Sequence, residues 1–298
     1  MEQKDNTSVF EQTEASRGEE AHHIKKKKHF WQYSMSLNIG LVIIVIVLIF
    51  AFFPQFIAPY EPNTSNPDAI MLAPSAEHLF GTDNYGRDIF SRVVWGTRID
   101  VAMGIFAMIV PLIVGSIIGL IAGYYGGWID TILMRILDVV MAFPFILMVI
   151  VIVAILGSGL MNMFIAIWLV AWRDYARLVR SEVMIAKHSE YVMAAKVLGY
   201  SEIRIILGHI LPNVVNSAIT FAAADIVMCM LTGASMSFLG LGVEPPTPEW
   251  GALISTGRPF MTQAWWMCTL PGVAICIAGV GFSLFGDGIS DVLRAKSR

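Results

Sequence analysis

Charged side chains are so widely spaced in this chain that the uncharged intervals between them can be compared with the thickness of a bilayer. A hydrocarbon core of roughly 30 Å needs about 20 helical residues. Residues 139–172 are uncharged over more than one such length, and the glycines and serine at 157–159 predict a turn that divides them. The pattern therefore predicts an all-α protein with six membrane spans: 37–53, the interval between 100 and 130, 139–156, 160–176, 212–238 and 265–285.

The basic residues predict how these spans are oriented. Of the 20 Lys and Arg residues, only Arg87, Arg92, Arg98 and Arg258 fall on one side of the predicted membrane. Basic residues near span ends favour the cytosol, so both termini are expected there. Residues 1–30 resemble a disordered cytosolic tail, whose Lys run at 25–28 is interpreted as a topology determinant, with a lipid or partner site as the alternative.

Two further boundaries follow from the same pattern. Residues 31–80 hold the first span and an outer segment, and residues 81–298 form the core with the other five spans. Within the second span, small residues that would let helices approach closely recur at Gly104, Gly115, Ser116 and Gly119.

Composition narrows the function. The chain is 56% hydrophobic and 14% charged, where soluble domains average roughly 45–50% and about 25%. A net charge of −3 provides no whole-chain field for binding nucleic acid. The three cysteines lie in apolar runs without CxxC spacing, and they indicate neither a metal nor a redox site: Cys229, Cys268 and Cys276.

Missing motifs bear on the source of energy. The sequence has no GxxxxGK[ST], so no phosphate-binding loop of its own is expected, nor any cofactor in this chain. An ion-coupled secondary transporter is an alternative, but it would usually concentrate broken helices and polar groups at the midplane, where this sequence offers little beyond Pro111 and Asp225. A membrane-bound hydrolase is disfavoured because GxSxG and HExxH are both absent.

The loop at residues 173–212 is the most informative segment. Residues 173–198 lack Pro and Gly and are predicted to extend the fourth span as a helix, which Gly199 ends because it can adopt a positive φ. Ser201 is expected to cap a second short helix at 202–207, and Pro212 to direct the chain back into the membrane. An amphipathic loop lying on the bilayer is the alternative interpretation.

This pattern resembles the loop that permeases of binding-protein-dependent ABC importers present to their ATPase subunits, with the consensus EAA-x3-G-x9-I-x-LP. Met193 stands at the Glu position, which removes a possible charge contact, and His209 stands at the Ile position. Five residues match the consensus: Ala194, Ala195, Gly199, Leu211 and Pro212. Because of the departure at Met193, coupling to the ATPase is expected to depend on the shape of the loop and on five candidate contacts: Glu190, Tyr200, Ser201, Glu202 and Arg204.

Two predicted outer segments, 78–101 and 237–260, resemble those of the oligopeptide, dipeptide and nickel importer group, and point to its C-type permease. In segment 78–101, the aspartates can cap turns or pair with arginines and the glycines permit tight turns, which together predict a rigid ledge. Direct peptide binding by Arg87 or Asp88 is the alternative. Prolines are expected to stiffen the second. The candidate residues for binding-protein docking or gating are Gly81, Asp83, Arg87, Asp88, Arg92, Pro245, Pro246, Trp250 and Arg258.

The resemblance implies the type I ABC importer permease fold in a bacterial or archaeal plasma membrane. It also implies a homologous second permease, two ATPase subunits that hold ATP and Mg, and an extracytoplasmic substrate-binding protein. Short peptides are the expected substrates, with nickel chelates as the alternative.

One ionisable residue falls inside a predicted span. Asp225 lies 13 residues after Pro212, roughly 20 Å along a helix at about 1.5 Å per residue. A charge near mid-bilayer indicates a functional site by default, because it costs at least about 2.5 kcal/mol. Asp225 is therefore expected either to line the translocation path and attract an ammonium group, or to be protonated or bonded to a neighbouring helix.

Overall fold

The computed structural model describes residues 35–296, with side chains up to Val292. The predicted tail at 1–30 and its basic run at 25–28 lie outside this range. Within it the regular secondary structure is helical, and two 3₁₀ turns, Pro67–Ala69 and Arg258–Phe260, join the α-helices. The helices are α1 Met35–Phe52, α2 Pro54–Ile57, α3 Ile89–Tyr125, α4 Gly127–Met141, α5 Phe145–Leu156, α6 Leu160–Ala186, α7 Glu190–Val197, α8 Glu202–Ile205, α9 Leu211–Phe238, α10 Trp250–Gly257 and α11 Trp266–Lys296.

Four helical segments of the described chain are long and apolar enough to cross a membrane: Met35–Phe52, Ile89–Tyr125, Glu202–Phe238 and Trp266–Val292. A fifth crossing is possible if α4 and α5 count together, although they meet at a bend of 84°. The sequence pattern placed a straight third span from residue 139. That prediction is wrong at its start, because Pro144 precedes α5 and disfavours a helical conformation for the residue before it.

The predicted turn between the third and fourth spans is confirmed. Gly157 and Gly159 have φ of 96° and 130°, backbone conformations that favour glycine, and they separate α5 from α6. The helix α6 then runs well past the predicted span end at residue 176, to Ala186.

The most extensive helix pairing in the described part of the chain joins α3 to α6 along a stripe of glycines. A Cβ added at Gly115 would lie 2.3 Å from the Trp172 carbonyl oxygen, and one at Gly119 would lie 2.4 Å from that of Ala176. The glycine hydrogen atoms thus let the two backbones meet, as the small residues of the second span predicted. Gly104 meets α9 in the same way, with Met230 Cγ at 2.6 Å from its added Cβ.

The described residues form three apolar cores, two within the helix bundle and a third beneath the 173–212 loop. One lies among α3, α5, α6 and α9 and contains the fully buried Met103, Met163 and Tyr175. The other lies among α1, α3, α10 and α11, with Trp250 and Trp266 in it. The helices α3 and α9 contribute side chains to both of these cores and therefore connect them.

Candidate functional site

The 173–212 loop folds into two short helices rather than one long extension and a separate rod. The predicted continuous helix over 173–198 is wrong, since α6 ends at Ala186 and α7 begins at Glu190. At the break Ser189 Oγ donates to the Ala186 carbonyl at 2.6 Å, and His188 Nδ1 lies 2.9 Å from the Met184 carbonyl oxygen. These side chains bond to carbonyls that a continuing helix would use, so the helix stops.

The predicted glycine turn after α7 is confirmed. Gly199 has φ of +76°. The Tyr200 N–H bonds to the Ala195 carbonyl and the Gly199 N–H to that of Lys196, both at 3.0–3.1 Å, which together form a Schellman motif. Ser201 occupies the N-cap position of α8, but its side chain makes no capping bond, so the predicted cap is wrong.

Pro212 does not redirect the chain. A π-helical segment, Ile206–Ile210, connects α8 to α9, and Glu202–Phe238 is one continuous helical stretch. Proline has no N–H and its ring clashes with the carbonyl four residues earlier. The wider turn accommodates this, since Leu211 N–H bonds to the Ile206 carbonyl five residues back. The predicted separate helix at 202–207 is therefore the first part of the α9 stretch.

One face of the 173–212 loop is packed against the helix bundle. Val192, Ala195 and Ile205 are buried against Val179 and Val183 of α6, together with Ile210 and Val214. The Arg204 guanidinium lies 4.3 Å from the centroid of the Tyr200 ring, and His209 stacks on the same ring at 5.8 Å. The loop is thus a firmly packed unit whose motion must accompany that of α6 and α9.

The opposite face of the 173–212 loop is exposed and apolar. Val197 is 88% exposed, Leu198 71% and Ile203 67%, and Tyr191, Met193 and Leu207 are exposed near them. Around them lie five candidate ATPase contacts that are also exposed: Glu190, Ala194, Ser201, Glu202 and Arg204. Such a patch with a charged rim is typical of a protein interface. Of the remaining candidates, Gly199 and Pro212 are exposed, Tyr200 and Leu211 are half-buried, and Ala195 belongs to the core.

A charged clamp ties the loop to the rest of the bundle. Arg180 Nη2 donates to Asp130 Oδ2 at 2.6 Å, which joins α6 to α4. Lys187 Nζ donates to the Gly123 carbonyl at 3.0 Å, at the end of α3. The sequence pattern did not single out these pairs, because their members lie at least 50 residues apart.

The 78–92 ledge has the rigid construction that its sequence predicted. Asp83 Oδ1 accepts hydrogen bonds from the Tyr85 and Arg87 N–H groups, and Asp83 Oδ2 pairs with Arg87 Nε at 2.7 Å. Asp88 caps α3 by accepting from the Ser91 N–H at 2.7 Å, and its other oxygen lies 2.9 Å from His78 Nδ1. Gly81 and Gly86 have φ of +72° and +73°, as their tight turns require.

The 237–260 loop contains a helix that buried carboxyl groups hold at its N-terminus. Glu249 is 0% exposed and accepts from the Gly251 and Ala252 N–H groups, each at 2.8 Å. Asp100 of α3 accepts from the Trp250 N–H at 3.1 Å, and its carboxyl group is a neighbour of the Glu249 carboxyl. Burial raises the pKa of Glu249 above its ordinary value.

Sequence reasoning missed both carboxyl groups. The position of Glu249 just before α10 is a signal that could have revealed its capping role, whereas the contribution of Asp100 depends on how α3 packs. Trp250, a candidate docking residue, is only 2% exposed and donates from Nε1 to the Val93 carbonyl. It therefore anchors the loop and is not presented to a partner. Arg258 is exposed, with its guanidinium 5.6 Å from the centroid of the Phe238 ring.

Asp225 lines a cavity of about 300 Å³ among α5, α6 and α9. Its Oδ2 accepts a hydrogen bond of 2.8 Å from the Tyr175 hydroxyl on α6. Asp174, Arg173 and Phe221 also line this cavity. Asp225 is thus bonded to a neighbouring helix, as one of the two alternatives from the sequence expected, and it also borders a space large enough for small polar groups.

Two models of known protein families match this chain. The model of the family described as binding-protein-dependent transport system inner membrane component matches residues 115–298. The N-terminal TM domain of oligopeptide transport permease C matches residues 38–74.

Two similar relatives match over most of both chains. The dipeptide transport system permease protein DppC of Alkalihalophilus pseudofirmus is 44% identical over 260 residues, 87% of this chain and 86% of the relative. The glutathione transport system permease protein GsiD of Pectobacterium atrosepticum is 41% identical over 273 residues, 90% and 91% of the two chains. With its helical membrane architecture and both family matches, this chain belongs to the permeases of binding-protein-dependent ABC importers, as a C-type permease of the oligopeptide, dipeptide and nickel group.

Proposed function

We propose that this chain forms half of the translocation pathway of an ATP-driven importer for short peptides of the dipeptide or glutathione kind. A second, homologous permease supplies the other half, and an extracytoplasmic binding protein delivers the substrate. Two similar relatives carry the names of dipeptide and glutathione transport permeases, which supports this substrate class. The chain crosses a bacterial or archaeal plasma membrane six times, with both termini in the cytosol. One of these crossings is α6, whose first half, residues 160–172, is uncharged.

The observation that carries the proposal is the construction of the 173–212 loop. One face of this loop is packed against α6 and α9, and the opposite face presents an apolar patch with a charged rim. An ATPase subunit that covers the patch would move α7 and α8, and with them the two helices to which they are packed. ATP hydrolysis would be transmitted in this way from a separate subunit that holds ATP and Mg.

Asp225 and its cavity are proposed as part of the path. The ammonium group of a peptide would be attracted by the carboxylates of Asp225 and Asp174, which outnumber the single positive charge of Arg173.

Gly199→Val tests the coupling role. Its Cβ would meet nothing within 4 Å, so the substitution strains only the backbone conformation, at about 1–2 kcal/mol. We expect the complete importer, reconstituted in liposomes, to take up labelled dipeptide at least about tenfold more slowly, since 1.4 kcal/mol corresponds to a factor of about ten. Its ATP hydrolysis should no longer rise when the loaded binding protein is added.

Gly240 offers a matched control. It follows α9 with φ of +78° in the same type of cap, with open space at its Cβ, at the end of α9 away from the 173–212 loop. Gly240→Val should retain the stimulation of ATP hydrolysis. Unchanged uptake by Gly199→Val, with the protein inserted normally, would contradict the proposed coupling.

A further inference from the structure

A pocket of about 390 Å³ lies between the 78–92 ledge and the 237–260 loop. Its rim is formed by exposed residues, among them Tyr85, Pro246 and Thr247. Two arginines, Arg87 and Arg92, line its deeper part although they are only 8% and 4% exposed. We call this space the arginine pocket; its lining comprises Tyr85, Arg87, Arg92, Pro245, Pro246, Thr247, Ala252 and Thr256.

The arginine pocket carries one uncompensated positive charge. Asp83 Oδ2 lies 2.7 Å from Arg87 Nε and 3.9 Å from Arg92 Nε, so a single carboxylate serves both guanidinium groups. Asp88 is engaged elsewhere, with the α3 cap and His78. Among the residues that the structure describes, no other carboxylate lies within 4 Å of either arginine.

The hydrogen-bond donors of the two arginines are also incompletely used. Arg92 donates to the Pro62 carbonyl at 2.8 Å, to Asn63 Oδ1 at 3.1 Å and weakly to the Pro246 carbonyl at 3.4 Å, but its buried Nε has no partner. The terminal nitrogens of Arg87 have no acceptor in the described part of the chain. A carboxylate that enters the pocket would accept hydrogen bonds from the terminal nitrogens of Arg87 and balance the charge.

The surroundings suit a docking contact better than a stop on a transport route. The ledge is held by its own capping bonds, and the prolines fix φ, so little conformational freedom would be lost on binding. Tyr85 is exposed beside Arg87, whose guanidinium lies 4.7 Å from the ring centroid, and Tyr and Arg are enriched at the energetic centres of protein interfaces. A substrate, by contrast, must be bound weakly enough to leave.

We propose that the arginine pocket receives an acidic side chain of the extracytoplasmic binding protein when that protein docks on the permease. The occupant follows from charge complementarity: a carboxylate pairs with two buried guanidinium groups that share one aspartate. This inference rests on the proposed function, because it requires such a binding protein as a partner.

The test measures docking of the importer's substrate-binding protein on the complete importer in lipid nanodiscs. Arg87→Gln should raise the Kd at least about tenfold at low salt, and the dependence of the Kd on salt should become weaker. Arg98→Gln, which removes an exposed charge whose Nε donates to the Ala51 carbonyl, should change the Kd less than about twofold. Thr247→Asp places a carboxylate at the rim without altering the ledge, and should also weaken docking at least about tenfold; Thr247→Asn measures the effect of side-chain size alone.

A second arm separates the two sources of a carboxylate. Binding of labelled dipeptide to the importer without binding protein should be the same in wild type and Arg87→Gln. If Arg87→Gln weakens dipeptide binding and leaves docking unchanged, the pocket binds substrate and the inference is wrong. An unchanged Kd for both Arg87→Gln and Thr247→Asp would overturn the inference alone, whereas a binding protein that fails to dock on the wild-type importer would overturn the proposed function as well.

Discussion

The contact between α3 and α6 yields a quantitative prediction at Gly119. An alanine there would place its Cβ 2.4 Å from the Ala176 carbonyl oxygen and 2.9 Å from the Arg180 nitrogen, where ordinary contacts are at least 3.4 Å. Both neighbours are backbone atoms of α6, which cannot rotate away as a side chain can. The helices must therefore separate by about 1 Å, the difference between 2.4 Å and the ordinary contact distance.

The free-energy cost follows from the lost contact. A gap of 0.5–1 Å forfeits roughly a quarter to a half of the attraction between two atoms, so roughly 25 atom pairs of about 0.15 kcal/mol each would lose about 1.5 kcal/mol. Overpacked cores typically lose about 1–3 kcal/mol. The higher helix propensity of alanine returns at most about 1 kcal/mol. We expect Gly119→Ala to lower the free energy of unfolding by about 1–2 kcal/mol.

Gly272 is the matched control. It lies within α11, and a Cβ added there meets nothing within 4 Å, so Gly272→Ala should be neutral or stabilising by up to about 1 kcal/mol. Unfolding of the purified permease in mixed micelles, induced by sodium dodecyl sulfate and followed by tryptophan fluorescence, measures both variants against wild type. If Gly119→Ala is as stable as Gly272→Ala, the direct backbone contact between α3 and α6 is refuted.

Two further predictions concern the carboxyl groups of Asp225 and Glu249. Asp225→Asn keeps an acceptor for the Tyr175 hydroxyl but removes the charge, so it should slow uptake of a free dipeptide about tenfold or more and slow uptake of the N-acetylated dipeptide much less. Tyr175→Phe keeps the charge, so the importer should still prefer a free ammonium group. Equal losses of uptake in the two variants would favour a purely structural role for Asp225. Burial raises the pKa of Glu249 in the folded protein, so the native state binds the proton more tightly than the unfolded state and its stability falls as pH rises from the ordinary glutamate pKa of about 4.3 toward the raised value. Glu249→Gln loses one of two backbone acceptors at every pH, but its deficit in melting temperature relative to wild type should shrink as the pH rises above about 4.3; a constant deficit would contradict a raised pKa of Glu249.

Local signals in the sequence predicted a substantial part of the candidate site. The turn at Gly199, the Asp83–Arg87 pair and the α3 cap by Asp88 all join residues at most five apart along the chain. Interactions at such short range depend little on the rest of the fold, which is why the sequence pattern identifies them. The errors in the same region are instructive: the break before Glu190 arises because two polar side chains bond to helix carbonyls.

The pairings between distant elements could not be predicted in this way. Tyr175 bonds to Asp225 across 50 residues, and Trp250 N–H bonds to Asp100 across 150. Each requires a particular rotation of two packed helices, and an apolar helix offers several faces with nearly equal hydropathy. The partner of a buried polar group is therefore chosen by the packing of the whole bundle.

The sequence by itself determined that the chain is a helical membrane protein, where most of its apolar helices lie and which loops carry the polar chemistry, because the cost of charge in a bilayer and the backbone freedom of glycine are properties of single residues. Only the tertiary structure decided that the 173–212 loop is packed onto α6 and α9, that Asp225 opens to a cavity while bonded to α6, and that Arg87 and Arg92 share a pocket with Pro246 and Thr247. These arrangements depend on how the helices and loops pack, which brings together side chains far apart in the chain.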